Sequence, residues 1–228
     1  MLTYSDDGTV RTVTLDRPER RNALTTAGLA DLERAVRTAE TPVVYLHGAG
    51  GAFCAGADLD VVSDLDDPAA FARRGQDVAT AIAETDSVVV AGVDGAARGG
   101  GVELALACDI RIGTPDASFA ETGVTFGLFG AWGGTVRLPD VVGLGDAADL
   151  ALSGRVVDAE EALRIGLISR IVDEPRTVAE EVAGNATEAL WRVKSLLRAQ
   201  DSREERERRE AEAFAALYER YGDEIRTG

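Results

Sequence analysis

Cysteine, histidine, lysine and methionine are nearly absent from this 228-residue chain, which has two cysteines, one histidine, one methionine and a single lysine, Lys194. Each scarcity excludes something. Cys54 and Cys108 sit in no CxxC or other metal-ligating spacing, so no metal site is expected, and a reducing cytoplasm is the simplest setting. With His47 as the only imidazole, a Ser-His-Asp or Cys-His mechanism would have to use that residue. It ends an apolar run and reads as structural. No basic-then-apolar leader opens the sequence and no apolar run approaches membrane-spanning length, so a soluble, cytoplasmic protein is expected. Aromatic residues make up only 5%. The core must therefore be built from Ala, Val, Leu and Ile, for which a hydrophobic content of 45% is ample.

Charge of one sign is also in short supply. Against 40 acidic residues stand 24 basic ones, all but one of them arginine, for a net charge of −16. Such a surface repels nucleic acid and anionic membranes, so neither is expected as a partner. It suits a protein kept soluble at high salt, where self-repulsion is screened. A GC-rich coding bias, which favours Arg, Ala, Gly and Asp, produces the same composition. The length fits one domain of moderate size, or a core domain with a small appendage.

Residues 10–15 alternate apolar and polar and predict a strand, stopped by Asp16-Arg17-Pro18. Leu29, Leu32 and Val36 recur at helical spacing. Pro42 opens a second strand over 43–46, and residues 69–83 predict a helix. The continuous apolar run 87–93 predicts a strand buried on both faces. Residues 94–101 read as a loop, 102–107 as a helix, Ile110 and Ile112 as a short strand, and 119–134 as a glycine-rich stretch. From Ala147 onward nearly everything reads as helix. Ser202-Arg203-Glu204-Glu205 has the form of a capping box. The stripe Phe214, Leu217 and Tyr218, on an otherwise charged helix, needs a surface to cover it.

Two loops of small residues stand out. Phe53-Cys54-Ala55-Gly56-Ala57-Asp58-Leu59 follows a strand, and Arg98-Gly99-Gly100-Gly101-Val102-Glu103-Leu104 opens a helix. Small residues admit close approach of a ligand to the backbone, and a helix N-terminus offers free N–H donors. Two such loops face to face can aim two N–H groups at one carbonyl oxygen, an oxyanion hole suited to enolate chemistry. Glu103 lies about one helical turn beyond Gly100, within reach of the carbons next to such a carbonyl. The plainer alternative is a carboxylate favouring a helix first turn. The run Gly48–Phe53 has the look of a dinucleotide loop, but it lacks the final glycine and a following helix, so a nucleotide site is discounted.

Five segments in order resemble the crotonase (enoyl-CoA hydratase/isomerase) superfamily. They are Leu15-Asp16-Arg17-Pro18-Glu19-Arg20-Arg21-Asn22-Ala23-Leu24; the Phe53–Leu59 loop; Gly99 to Glu103 with Leu104-Ala105-Leu106-Ala107-Cys108-Asp109; Trp132-Gly133-Gly134-Thr135 with Arg137-Leu138-Pro139; and Ala159-Glu160-Glu161-Ala162 with Ile165-Gly166-Leu167-Ile168. The resemblance implies an α/β fold, a crotonase/Clp-type spiral of ββα units with a helical C-terminal part. The change in sequence character near Asp140 divides a core over 1–140 from a helical region over 141–228; the resemblance agrees with that boundary and implies an acyl-CoA site in the first part and trimerisation by the second, with assembly as a homotrimer or homohexamer. It further implies an acyl-CoA thioester substrate and no separate cofactor, coenzyme A being part of the substrate. The N–H groups of Ala57 and Gly100 would form the oxyanion hole, and Glu103 would be a catalytic acid/base. Arg20 and Arg21 would lie near the CoA phosphates. Ala23, Ala55, Gly56, Asp58, Leu59, Gly99 and Gly123 would line the CoA and acyl path.

One departure bears on mechanism. The second glutamate of the family's hydratases follows a proline, in an F-A-x-P-E segment. Here that segment reads Phe119-Ala120-Glu121-Thr122-Gly123, with Gly123 in the glutamate's place. The acid that some isomerases carry in a P-D-x-G turn is also missing, since the turn reads Gly130-Ala131-Trp132-Gly133. Glu121 is two residues early, about 6–7 Å away along an extended segment. It is expected either to face the site from a displaced position or to be a surface or intersubunit carboxylate. Gly123 is expected to leave room for a bulky acyl group. Three readings follow: an enoyl-CoA hydratase, with Glu103 as acid/base; an isomerase or decarboxylase working through the same enolate; or a non-catalytic acyl-CoA-binding or scaffold subunit. A serine peptidase on the related Clp-type spiral is disfavoured, because no triad containing His47 can be assembled.

Overall fold

The run Val88–Val93, buried at every position, is a middle strand of the main sheet and shows how the chain is layered. Its side chains alternate between two cores, as strand geometry requires. Val89, Ala91 and Val93 join one cluster with Val44 and Leu46, while Val88 and Val90 join another with Val43 and Tyr45. A parallel strand covered on both faces has no polar alternation to show, which is why this run reads as continuously apolar.

The computed structural model describes residues 2–227. Strands β1 (Leu2–Asp6), β2 (Val10–Leu15), β3 (Val43–Gly48), β5 (Val88–Val93), β7 (Ile110–Gly113) and β10 (Arg170–Ile171) form one sheet in the order β1-β2-β3-β5-β7-β10. The β1–β2 pair is antiparallel and the remaining pairs are parallel. A second sheet has the order β4-β6-β8-β9, built from β4 (Ala52–Cys54), β6 (Ala96–Arg98), β8 (Ser118–Ala120) and β9 (Val157–Asp158). The helices are α1 (Thr26–Arg37), α2 (Leu59–Ser63), α3 (Pro68–Glu84), α4 (Gly100–Ala107), α5 (Gly134–Ser153), α6 (Ala159–Arg164), α7 (Arg176–Ala183), α8 (Thr187–Leu197) and α9 (Arg203–Thr227). Three times in succession the chain lays a strand in the first sheet and the next in the second, then turns into a helix. This is the expected ββα spiral.

Helix α4 is buried along its whole length, the mark of a helix packed on every side. It runs from the second sheet into the core and carries Glu103. Helix α5 contains Pro139 and breaks its helical conformation at Gly143, at φ 78°; a glycine tolerates this left-handed backbone, and the helix kinks there. Residue 140, where the helical region was expected to begin, lies within α5. Beyond it the chain is not wholly helical, because β9 pairs with β8 and β10 with β7. The expected loop over 94–101 likewise holds β6 and the start of α4, and the glycine-rich stretch begins in β8.

Helix α8 is fastened by the single lysine. Lys194 Nζ donates to Ser87 O at 2.7 Å and pairs with Asp109 at 2.8 Å, both side chains largely buried. Half of the expected capping box is present at α9, where Glu205 N donates to Ser202 Oγ at 3.3 Å. On α9, Phe214 and Tyr218 are exposed and stack on each other, and Leu217 is half-buried. Among the described residues no helix is long and apolar enough to cross a membrane.

Candidate active site

Both small-residue loops come together at the N-terminus of α4. Leu24 bridges to Ala57: Leu24 N donates to Gly56 O at 2.8 Å and Asp58 N to Leu24 O at 2.9 Å. That pattern spends the neighbours' groups and leaves the Ala57 N–H with no backbone acceptor among the described residues. Gly100 is the first residue of α4, where N–H groups have no acceptor within the helix. Gly56 is left-handed, at φ 85°, and a Cβ there would stand 2.9 Å from Gly100 N and 2.8 Å from Arg98 O. The two loops are therefore in direct contact, with a donor from each left over. Gly99, at φ 47°, ties its own N–H to Ala120 O of β8 at 2.9 Å.

The N-terminal signature braces the first loop. Arg21 and Asn22 both hold positive φ, 50° and 59°. The buried Asn22 side chain accepts from Arg17 N at 2.9 Å and donates to Ala49 O at 2.9 Å and Ala52 O at 2.7 Å. Asp58, expected along the ligand path, turns out to be part of this brace. Its buried carboxylate accepts from Arg17, from Arg20 and from Asp60 N at 3.0 Å, capping α2. Arg20 is thereby engaged by Asp58 and Asp60. Arg21 is exposed, with no carboxylate within ion-pair distance among the described residues. Leu59 is exposed, Ala55 half-buried and Ala23 buried.

Sequence reasoning missed Arg98. Its half-buried guanidinium donates to Ser118 O at 2.7 Å and Ser118 Oγ at 3.1 Å. Burial first, and then the nearby charge of Arg21, lower its pKa. The Arg-Gly-Gly run holds a cation beside the loops, but nothing in the sequence says which way that side chain turns.

Glu103 is 1% exposed. Its Oε1 accepts from the N–H groups of Trp132 at 2.8 Å and Gly134 at 2.6 Å, where the chain enters α5. Burial pushes its pKa up, and the two N–H donors partly offset that. The Trp132 indole fills the space between α3 and α4, where a Cβ on Gly75 or Gly100 would meet it at 2.0 or 2.3 Å.

Glu121 faces Glu103 and is not a surface carboxylate. It is 7% exposed, and its Oε1 is buried with no hydrogen-bond partner. A Cβ on Gly130 would lie 2.8 Å from Oε2 of both glutamates, so the two carboxyls meet over this glycine. Burial, and next the charge of Glu103, push the Glu121 pKa up to about 8. Gly123 opens no room, contrary to expectation: the place of its missing side chain is taken by the Phe129 backbone, 2.8 Å from where a Cβ would be. An apolar cavity of about 210 Å³ starts at Glu121, Gly130 and Gly134 and continues along α5 past Leu138, Leu144 and Ala148.

The family model described as enoyl-CoA hydratase/isomerase matches residues 5–227. The chain belongs to the enoyl-CoA hydratase/isomerase family. This is an enzyme family of the crotonase superfamily, as the five sequence segments implied. The short-chain-enoyl-CoA hydratase of Clostridium acetobutylicum is 36% identical over 186 residues, covering 78% of this chain and 71% of that protein. The crotonyl-CoA hydratase of Syntrophomonas wolfei is 38% identical over 175 residues, covering 74% and 67%. Among solved structures, the Bacillus anthracis enoyl-CoA hydratase superposes with a TM-score of 0.89 at 30% identity, covering 96% of this chain and 91% of that one. A Thermobifida fusca protein solved in complex with CoA superposes with a TM-score of 0.87 at 29% identity, covering 97% and 94%. The crotonase fold of this family is thus shared across nearly the whole chain.

Proposed function

We propose that the chain acts on an enoyl-CoA thioester by enolate chemistry, as a hydratase that also has the groups needed for double-bond isomerisation. The observation that carries this is the meeting of three features. Two unspent backbone N–H groups, of Ala57 and Gly100, lie in touching loops; a buried carboxylate, Glu103, stands one turn away; and an apolar cavity begins at Glu121, which faces it. The thioester oxygen placed on the two N–H groups can accumulate negative charge, which fixed donors in a dry site stabilise strongly. Glu103 then serves as the base. It takes a proton from an added water in hydration, or moves one between carbon atoms in isomerisation. The acyl group extends into the cavity beside α5.

Coenzyme A leaves along the first loop, past Ala23, Ala55, Gly56 and Leu59. Arg21, carrying a positive charge without a carboxylate partner, suits the CoA phosphates, and the neighbouring Arg98 adds to that field. Arg20 contributes less, since Asp58 and Asp60 already engage it. The CoA complex of the Thermobifida relative and the hydratase names of the bacterial relatives support this substrate class.

Glu103→Gln keeps size and shape but cannot take a proton. Turnover of a short 2-enoyl-CoA by this variant should fall by the ~10²–10⁴-fold typical of general acid–base catalysis, with thioester affinity kept. Equal turnover by variant and parent refutes the reading.

A further inference from the structure

Resting on that reading, we infer that Glu121 is the proton donor of the hydration step, supplied from two residues before the vacant glutamate position and acting as one unit with Glu103. Three geometric facts carry the assignment. The Glu121 carboxyl is more than nine-tenths buried with Oε1 unpartnered, so an oxygen is left to meet a ligand. Its other oxygen and Oε2 of Glu103 each lie 2.8 Å from where a Cβ on Gly130 would stand. The apolar cavity begins at the same place. At Gly123 a side chain would strike the Phe129 backbone, so the vacant position could not hold an acid without moving that segment.

The two carboxyls differ in environment, and the difference sorts their roles. Glu103 receives two backbone N–H bonds on Oε1, which favour its ionised form, and from α5 the charge of Arg137 acts on it in the same direction. Glu121 has a buried oxygen that receives none, and the charge it faces is Glu103 itself, on α4. Two buried carboxyls that face each other resist ionising together, and Glu121 is the one that keeps its proton at neutral pH.

In hydration the Glu103 carboxylate takes a proton from a water as that oxygen bonds to the β-carbon. The electron pair of the C=C bond passes to the thioester oxygen, held by Ala57 and Gly100. The enolate α-carbon then takes the proton held by Glu121. One water O–H and the π bond are broken, and one C–O and one C–H bond are made. Glu103 ends protonated and Glu121 ionised, and a proton passing between the facing carboxyls restores the start.

The test compares wild type, Glu121→Gln and Gly130→Ala in hydration of crotonyl-CoA and in isomerisation of a 3-enoyl-CoA, which needs only Glu103. Glu121→Gln should lower the kcat of hydration by about 10²-fold or more, hold KM within a few-fold and retain isomerisation. Gly130→Ala, which wedges a methyl between the carboxyls, should also depress hydration. The wild-type hydration rate should fall as pH rises through about 8, because an ionised Glu121 has no proton to give. Wild-type hydration kinetics in Glu121→Gln, equal loss of both reactions, or a hydration rate unchanged between neutral and alkaline pH overturns the assignment. A wild type that isomerises but does not hydrate overturns it too, and leaves the enolate reading standing. Full activity of Glu103→Gln in both reactions would sink that reading itself.

Discussion

At the scale of single residues, the site depends on backbone positions that only glycine fits. Gly56 is left-handed and its missing Cβ would crowd the Gly100 N–H. Gly56→Ala should therefore cut turnover by about 10²-fold or more, comparable to losing one oxyanion donor. Gly51 supplies the control, since it is also left-handed, at φ 72°, but has nothing within 4 Å of its absent Cβ. Both substitutions incur the same left-handed strain, about 1–2 kcal/mol, and only the one at Gly56 should lose activity. Similar activity losses in the two variants would argue against the N–H pair. These glycines and Glu103 were legible in the sequence because small residues before a helix and an acid one turn later are local patterns. The bracing role of Asp58 was not, and Glu121 was legible only as one of two alternatives, facing the site or lying at a surface. Whether a carboxylate faces a ligand, a guanidinium or another carboxylate depends on chain segments far away in sequence, Arg17 and Arg20 in one case and Glu103 in the other.

At the scale of elements, the long ones could be read and the short ones could not. Strands such as β2 and β5, six residues each, and helices such as α1 and α3 repeat their pattern often enough to show a period. Strands β9 and β10 have two residues apiece, too few for any alternation, and form because neighbouring strands are waiting for them. The attachment of α8 also escaped notice, since a lone lysine in an arginine-rich chain gives no hint of being buried. Lys194→Met should destabilise the fold by less than the ~3–5 kcal/mol typical of one-sided loss of a buried pair, because Arg198 still neutralises Asp109, at 2.7 Å. A lower melting temperature with unchanged KM is the expected result. An unchanged melting temperature would show that α8 is held by its apolar contacts alone.

At the scale of the whole molecule, the apolar surface is uneven. Phe129, Leu144 and Leu152, from 65% to 78% exposed, line the apolar cavity beside α5, Phe126 is exposed close by in sequence, and Phe214 and Tyr218 stand out on α9. A protein with this much acid on its surface has little reason to show bare rings and leucines to water unless another copy covers them. Light scattering in molar KCl, where repulsion between acidic copies is screened, should give a mass three or six times that of the chain. A monomer across the working concentration range would contradict this. The sequence showed the stripe on α9, whose period is local. It did not show the patch at the cavity, which gathers residues from α5 beyond its kink and from the segment before that helix.

Trp132 gives the site a built-in optical signal. Its indole is 3% exposed and lies against Gly100, whereas the chain's other tryptophan, Trp191, is 37% exposed on α8. An indole in apolar surroundings emits further to the blue than one in water. In a Trp191→Phe background the remaining emission comes from the indole packed against Gly100 at the start of α4. Ligand entry should then register as a change in that emission before any product has formed, so binding can be timed separately from chemistry without attaching a dye.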